Sequence, residues 1–173
     1  ESDPGRRDEA AAALADQSLW EIESELMGAS GDAVDADPLL AHIRTRVTDE
    51  GLIIEVFDIP GSPLFTPDEA IANPLFERLL AMIGRVLSRT ENSVAITGHL
   101  AAADVGEDRP DPWRLSADRA QLARGLLVAA GVEDARLARV TGKANRSPAA
   151  ADAGEARNRR IEITLLRDFR RAD

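Results

Sequence analysis

Hydrophobic positions recur along the chain with two periods, which predict helices and strands. The clearest helix follows Asn73-Pro74, where apolar residues share one face and charged residues the other. Another helix is predicted from Ser116, as N-cap with Leu115 as staple residue, to Gly131. Continuous or alternating apolar runs predict buried strands. The predicted strands are 46–58, 93–97, 135–143 and 160–166.

The order of these elements predicts an α+β fold. Two main helices can cover one face of a four-stranded mixed sheet, which gives a two-layer sandwich. Three local features refine this prediction. Asp49-Glu50-Gly51 is interpreted as a turn or bulge near the start of the first strand. Thr66-Pro67 with Glu69 has the spacing of a capping box, so a short helix is expected there. The segment 99–114 is expected to be a long polar loop.

The N-terminal part predicts a helical extension of this domain. A helix is expected over 9–27, with Leu14, Leu19, Ile22 and Leu26 as an apolar stripe and residues 1–8 frayed. A short second helix is expected from Asp37-Pro38 to about residue 44. The extension can pack on its own domain, pair with a second copy or act as a linker. The predicted organisation is a linker and dimerisation segment at 1–45, a domain at 46–167 and a tail at 168–173.

Charge is distributed unevenly. The 173 residues carry a net charge of −10, which disfavours nucleic acid as a ligand. Residues 136–173 nevertheless contain 10 basic and 5 acidic residues, a local charge of +5. This region can attract a carboxylate over roughly 8–10 Å, the screening length of physiological salt. The alternative is a solvated face of arginines with no ligand.

Several classes of function have no support in the sequence. There are no cysteines, so disulfides and thiolate metal sites are absent. No zinc-protease, phosphate-loop or nucleophile-elbow motif occurs. We therefore predict no enzyme, no catalytic residues, no metal and no cofactor. No apolar run reaches the roughly 20 residues that span a bilayer.

Arg119 is the main candidate for ligand binding. The predicted helix places it one turn from the N-terminus, where free N–H groups favour anions. Its planar guanidinium suits a carboxylate, although pairing with Glu107 or Asp111 is the alternative. The neighbours Arg159 and Arg160 open the last strand, so one of them can face a ligand and the other the opposite side. The residues alone do not indicate which.

Four motifs carry a resemblance to a known family. They are Thr97-Gly98-His99, LSADRA at 115–120, Gly142-Lys143-Ala144 ahead of Pro148, and NRRIEITLL at 158–166. In order and spacing they resemble the OmpA-like peptidoglycan-binding domain, and within it the periplasmic part of MotB-type flagellar stator proteins. The resemblance implies that an Asp and an Arg hold the diaminopimelate of the wall peptide. It marks Arg119, Asn158 and Arg160 as peptidoglycan-binding, together with the matching positions Leu115, His99 and Ala101.

One departure from the family bears on this site. The family has Thr-Asp after Gly-His, where this chain has Leu100-Ala101. The ligand ammonium then lacks a charge-assisted hydrogen bond of roughly 1.5–3 kcal/mol. Asp104, three residues further on, is a candidate to fold back in its place. Weak wall binding, binding through other contacts and a deliberately altered sequence all remain open.

The resemblance implies a non-enzymatic anchor in bacterial motility. The chain is then the periplasmic, homodimeric part of a single-pass inner-membrane protein, whose membrane helix lies upstream of Glu1. It binds peptidoglycan so that the ion-driven stator can apply torque. A MotA-type membrane protein and a flagellar ring protein are the implied partners. The alternative, favoured by Ala101, is a protein–protein interaction module that has lost strong wall binding. A third interpretation is a general outer-membrane tether of the OmpA type.

Overall fold

The computed structural model describes residues 4–28, 38–152 and 155–169. Its helices are α1 (Pro4–Gly28), α2 (Pro74–Leu87) and α3 (Pro112–Ala129). Its strands are β1 (Ile43–Val47), β2 (Gly51–Phe57), β3 (Asn92–His99), β4 (Leu137–Gly142) and β5 (Arg160–Phe169). The described helices include none that is long and apolar enough to cross a membrane.

The strands form one mixed sheet in the order β1-β2-β5-β3-β4. The neighbours β3 and β4 are parallel and are connected through α3, whereas the other pairs are antiparallel. Helices α2 and α3 contribute buried apolar residues to a core against one face of the sheet. The predicted α+β architecture is therefore confirmed.

The sheet has five strands where four were predicted. The segment expected to be one strand, 46–58, belongs to a hairpin of β1 and β2. Thr48 and Gly51 close the hairpin through reciprocal backbone hydrogen bonds of 2.8 and 3.2 Å. Gly51 has φ 148°, and a Cβ there would collide with the carbonyl oxygen of Leu165. The prediction began at Arg46 because β1 carries two arginines and a threonine, and it joined the end of β1 to the apolar run of β2.

Helix α3 begins earlier than predicted. Asp111 is its N-cap and accepts a hydrogen bond of 2.9 Å from the Trp113 amide, and Pro112 follows at the first helical position. Ser116 therefore lies inside the helix rather than at its start. Arg119 is the eighth residue of α3, so the expected contribution of the helix N-terminus at Arg119 was wrong. No helix starts at Thr66 either, because Glu69 N–H bonds the Thr66 carbonyl in a turn.

Two glycines allow α3 to pack directly against the sheet. A Cβ at Gly98 would collide with the Ser116 carbonyl oxygen, and a Cβ at Gly142 with the Ala117 amide nitrogen. Side chains at these positions would push the helix away from β3 and β4. The close seating places the side chains of the third turn of α3 near the ends of the strands.

Helix α1 packs on its own domain. Leu19 and Leu26 are buried in the common core, and α1 contacts α2, β1 and β2. Leu14, expected in the same stripe, is 66% exposed. The helix starts at Pro4, so the expected fraying of residues 4–8 was wrong, whereas residues 1–3 lie outside the described part. The short second helix is a 3-10 helix, Pro38–His42.

Candidate ligand-binding clefts

Two clefts open at the end of the sheet where β2 ends and β5 begins. The first, which we name the Arg119 cleft, has a volume of about 190 Å³. Its charged lining residues are Asp58, Asp68, Asp104, Arg109, Arg119 and Arg159. The second, which we name the sheet-face cleft, has a volume of about 490 Å³. Its charged and histidine lining residues are Arg44, Arg46, Glu55, His99, Lys143, Arg157, Arg160 and Glu162.

Arg119 is held in one orientation by the loop before α2. It is 5% exposed, its Nε donates to the Glu69 carbonyl at 2.9 Å, and its Nη2 donates to the Thr66 carbonyl at 3.3 Å. Its guanidinium carbon lies 4.7 Å from the centre of the Phe65 ring, within cation–π range. Burial lowers the pKa of Arg119, and the nearby Asp104 and Asp58 oppose that shift. These bonds go to backbone carbonyls rather than to the loop acids Glu107 or Asp111.

Asp104 folds back into the same cleft. The 3-10 turn Ala102–Asp104 brings its carboxylate to the Ala101 amide, which donates to Oδ2 at 2.9 Å. Arg159 Nε lies 2.7 Å from both carboxylate oxygens of Asp104. Ala101 itself is fully buried and contributes its backbone N–H. A carboxylate therefore lies in the Arg119 cleft although the family Asp is absent.

The remaining charges of the Arg119 cleft are also paired. Asp58 Oδ1 accepts from the Leu64 amide at 2.9 Å, and Arg159 lies 3.9 Å away. Burial raises the pKa of Asp58 and outweighs the lowering by that hydrogen bond and by the arginines. Arg109 bonds both oxygens of Asp68, at 2.9 and 3.0 Å. Three acids and three arginines thus surround a small cleft, which suits a ligand that carries both charges.

Asn158 forms hydrogen bonds within the loop between β4 and β5. It is fully buried, and its Oδ1 accepts from the amides of Ala149 and Ala150, both at 2.9 Å. Its Nδ2 donates to the Asp152 carbonyl at 2.8 Å. These three bonds fold the loop between β4 and β5. Asn158 is absent from the lining of both clefts.

Two further predicted residues, His99 and Arg160, lie apart from Arg119 and line the sheet-face cleft. Leu115 is buried one turn before Arg119 on α3 and is not among the lining residues of either cleft. Arg160 donates to Glu162 at 3.0 Å and to the Ser147 carbonyl at 2.7 Å. His99 Nε2 lies 3.5 Å from Glu162 Oε2. Burial opposes ionisation of Glu162, but His99 and Arg160 outweigh it and lower its pKa to about 2.

Sequence reasoning missed several residues of the Arg119 cleft. Arg159 was left open against Arg160, and the alternation of strand side chains sends the first to the Arg119 cleft and the second to the sheet face. Asp58 directly follows β2, a position that could have indicated it. Asp68 and Arg109 lie in loops that are 41 residues apart, and no local signal connects them.

An α+β sandwich with a charged cleft beside the third turn of α3 defines the class of fold, and comparison with known proteins gives the family. Residues 64–162 match the OmpA family, and the chain belongs to that family. Motility protein B of Escherichia coli K12 is 31% identical over 150 residues, which are 82% of this chain and 48% of the relative. The chain thus spans about half the length of that relative.

Solved structures agree with this family. A MotB-like protein from Desulfovibrio vulgaris is similar with a TM-score of 0.71 and 23% identity, over 95% of this chain and 98% of the other. The T6SS cell wall anchor of Pseudomonas aeruginosa has a TM-score of 0.59 and 27% identity, over 74% and 94%. The periplasmic domain of Helicobacter pylori MotB has a TM-score of 0.61 and 18% identity, over 72% and 81%. The first and third establish the fold alone.

Proposed function

We propose that this chain is the periplasmic anchoring part of a flagellar motor stator and that it binds peptidoglycan in the Arg119 cleft. Membership of the OmpA family and the likeness to motility protein B support the role. The likeness to a cell wall anchor at 27% identity supports wall binding. The observation that carries the proposal is the fixed guanidinium of Arg119 in one small cleft with the carboxylate of Asp104.

The proposed ligand is the zwitterionic end of diaminopimelate in the wall peptide. Its carboxylate accepts hydrogen bonds from Arg119 and Arg159, whose planar donor groups suit a carboxylate. Its ammonium donates to Asp104, which takes the role of the family Asp missing at Ala101. Because Arg159 already holds Asp104 at 2.7 Å, the carboxylate is oriented before the ligand arrives.

The proposed anchor works as part of a larger protein. Torque applied by an ion-driven stator is resisted through the grip on the wall. The proposed partner in the inner membrane is a MotA-type protein, reached through a membrane segment of the larger protein, and a flagellar ring protein is a further proposed contact. A homodimer is proposed through α1, whose Leu14, Trp20 and Met27 are 66%, 54% and 39% exposed.

Retention by purified sacculi tests the wall-binding proposal. Arg119→Lys keeps a charge but loses the bidentate fork, and Asp104→Asn keeps the size but loses the charge. Loss of one charge-assisted hydrogen bond costs roughly 1.5–3 kcal/mol, or about 10- to 150-fold in affinity. Arg124→Gln is the matched control, because Arg124 lies on the same helix and pairs with Asp134 outside the cleft. Thermal unfolding of each variant separates loss of binding from loss of fold.

The outcomes distinguish the proposal from its alternative. Strong retention of wild type and of Arg124→Gln, weak retention of the two cleft variants, and displacement by free diaminopimelate support the Arg119 cleft. Equal retention of all four proteins overturns the site assignment. Absence of retention for a folded wild type favours the protein–protein interaction module. The observation in favour of that alternative is Ala101, which stands where the family has Asp.

A further inference from the structure

We propose that the sheet-face cleft is a second binding site, for a ligand that carries two or more oxyanion groups, either carboxylates or phosphates. The side chains of Arg44, Glu55, Arg160 and Glu162 alternate with core residues along β1, β2 and β5. They therefore lie on the face of the sheet opposite α2 and α3. The site is distinct from the Arg119 cleft, which faces the loops around Phe65 and Asp104.

The first argument is an excess of positive charge. Five cationic side chains line the cleft against two carboxylates. Each carboxylate is already shared between two basic groups: Glu55 lies 3.4 Å from Arg46 and 3.9 Å from Arg157, and Glu162 lies beside Arg160 and His99. Within the described part of the chain, neither Arg44 nor Lys143 forms an ion pair. This excess is unusual in a protein whose net charge is −10.

The second argument is a set of unmet hydrogen bonds. His99 is 4% exposed; among the described residues its Nδ1 has no hydrogen-bond partner, and its Nε2 has only the contact with Glu162. The 3.5 Å separation of Nε2 and Glu162 lies at the outer limit for such a bond. The buried Nε of Arg157 also has no partner in the same described part. Buried polar groups are ordinarily bonded. Two such groups on one cleft therefore indicate a ligand that supplies acceptor atoms.

The third argument concerns size and placement. The cleft has about 490 Å³, against about 190 Å³ for the Arg119 cleft. Its cations come from β1, from the residue after β4 and from the approach to β5, so they are spread around the rim. A single oxyanion can meet only part of this rim. A ligand with two or more oxyanion groups matches both the volume and the spread of charge.

The chain offers an internal probe of this site. It contains only two histidines, His42 and His99. His42 Nδ1 lies 2.8 Å from the Phe57 carbonyl, and His42 is not part of the cleft lining. Side-chain imidazole resonances should be followed by NMR at fixed pH and ionic strength, while pyrophosphate or citrate is added to the 173-residue chain. We expect saturable shifts at His99 and none at His42.

Two double variants test whether local charge is responsible. Arg44→Gln with Lys143→Gln removes the two unpaired cations, and the expected weakening is roughly three- to tenfold. Arg78→Gln with Arg114→Gln lowers the net charge equally at exposed positions elsewhere and should leave binding unchanged. Asp104→Asn should also leave it unchanged, so the result does not depend on the wall-binding proposal.

Each outcome decides the proposal. Saturable His99 shifts with both probes support a general oxyanion site, and shifts with only citrate or only pyrophosphate support it while identifying a carboxylate or a phosphate ligand. The proposal is overturned by the absence of shifts, by equal shifts at both histidines, or by equal weakening in the two double variants.

Discussion

The two clefts use the same kind of residue in opposite ways. In the Arg119 cleft, Arg159 is paired with Asp104 and Arg109 with Asp68. In the sheet-face cleft, cations outnumber acids and two of them have no ion pair among the described residues. Arg159 lines the Arg119 cleft, and the next residue, Arg160, lines the sheet-face cleft. The two clefts therefore differ both in the balance of charge and in the share of their cations that have an ion-pair partner.

This difference has a physical consequence for stability. Where each cation has a partner, removal of one charge leaves an acid without compensation, and the fold is destabilised. Where cations are in excess, removal of one relieves repulsion and leaves no acid unpaired. Substitutions that separate these two situations are therefore the most direct tests of the comparison.

The largest expected change in stability comes from the close packing of α3 against β4, on which the geometry of the Arg119 cleft depends. In Gly142→Ala, the added methyl group would collide with the Ala117 amide and the Ser116 hydroxyl. Because one of these atoms is backbone, the helix must move, and we expect a loss of about 3 kcal/mol in unfolding free energy, at the upper end for overpacking. Urea denaturation measures it.

The matched control for Gly142 is Gly125→Ala. Apart from its chain neighbours and the backbone of its own helix, no heavy atom lies within 4 Å of the position that its Cβ would take. Gly125 lies inside α3, so alanine should stabilise the helix by up to about 1 kcal/mol. Equal effects at the two glycines would contradict the close seating of α3 on β4.

Acid should lower the unfolding free energy by protonating Glu162, which lines the sheet-face cleft. Its pKa is about 2 in the folded protein and ordinarily 4.5, so the ionised form stabilises the fold above about pH 4.5. That contribution is lost as the pH falls from 4.5 towards 2, and it amounts to roughly 3 kcal/mol. In Glu162→Gln the unfolding free energy should be lower near neutral pH and should approach that of wild type in acid.

Denaturant unfolding at several pH values between 2 and 7 measures this difference. The control is Glu91→Gln, which removes an exposed acid from the turn before β3. It should leave the pH profile of wild type unchanged. A wild-type profile that remains parallel to that of Glu162→Gln down to pH 2 would refute the assigned cause.

A smaller effect should distinguish a structural Asn158 from a ligand contact. Asn158→Ala removes three hydrogen bonds and leaves the partly buried amides of Ala149 and Ala150 without their acceptor. We expect a loss of roughly 2 kcal/mol in unfolding free energy, with sacculus retention unchanged below the unfolding temperature. Asn145→Ala in the same loop is the control. Loss of retention without loss of stability would instead support direct ligand contact by Asn158.

The fold was predictable from sequence where one period dominated. The apolar face of α2 and the alternation in β5 identified their elements correctly. The turn at 49–51 was interpreted as a turn or bulge inside one strand, and the hairpin of β1 and β2 was missed because β1 is short and carries two arginines, so that only β2 gave a continuous apolar run. The start of α3 was misplaced because Asp111-Pro112 and Ser116 are both good helix beginnings, and only the packing of the loop selects the first.

The candidate site was less predictable, since its residues are distant in sequence. Arg119 and its helix followed from local pattern and family resemblance. The position of the Asp104 carboxylate in the Arg119 cleft depends on a single 3-10 turn, and its pairing with Arg159 joins residues that are 55 positions apart in the chain. The resemblance assigned Asn158 and Arg160 to the same function as Arg119. In the structure, Asn158 holds the loop between β4 and β5 together, and Arg160 lines the sheet-face cleft.

The smallest expected effect gives the sharpest comparison of the two clefts. Arg159→Gln leaves Asp104 and Asp58 without their cation, and we expect a loss of about 1–2 kcal/mol in unfolding free energy. Arg44→Gln removes the same charge from an exposed side chain that has no ion pair among the described residues. Its effect should lie within about 0.5 kcal/mol of zero, and on the stabilising side because repulsion is relieved.

Urea denaturation of both variants at low and at physiological salt completes this test. Salt screens the repulsion around Arg44, so the small stabilisation by Arg44→Gln should disappear at higher ionic strength. The loss in Arg159→Gln should persist, because that pair lies partly buried. If the two substitutions cost the same free energy at both salt concentrations, the distinction between a paired and an unpaired cleft is wrong. If only Arg159→Gln is costly, the paired cation of the Arg119 cleft supports the fold, whereas the cation without an ion pair in the sheet-face cleft does not.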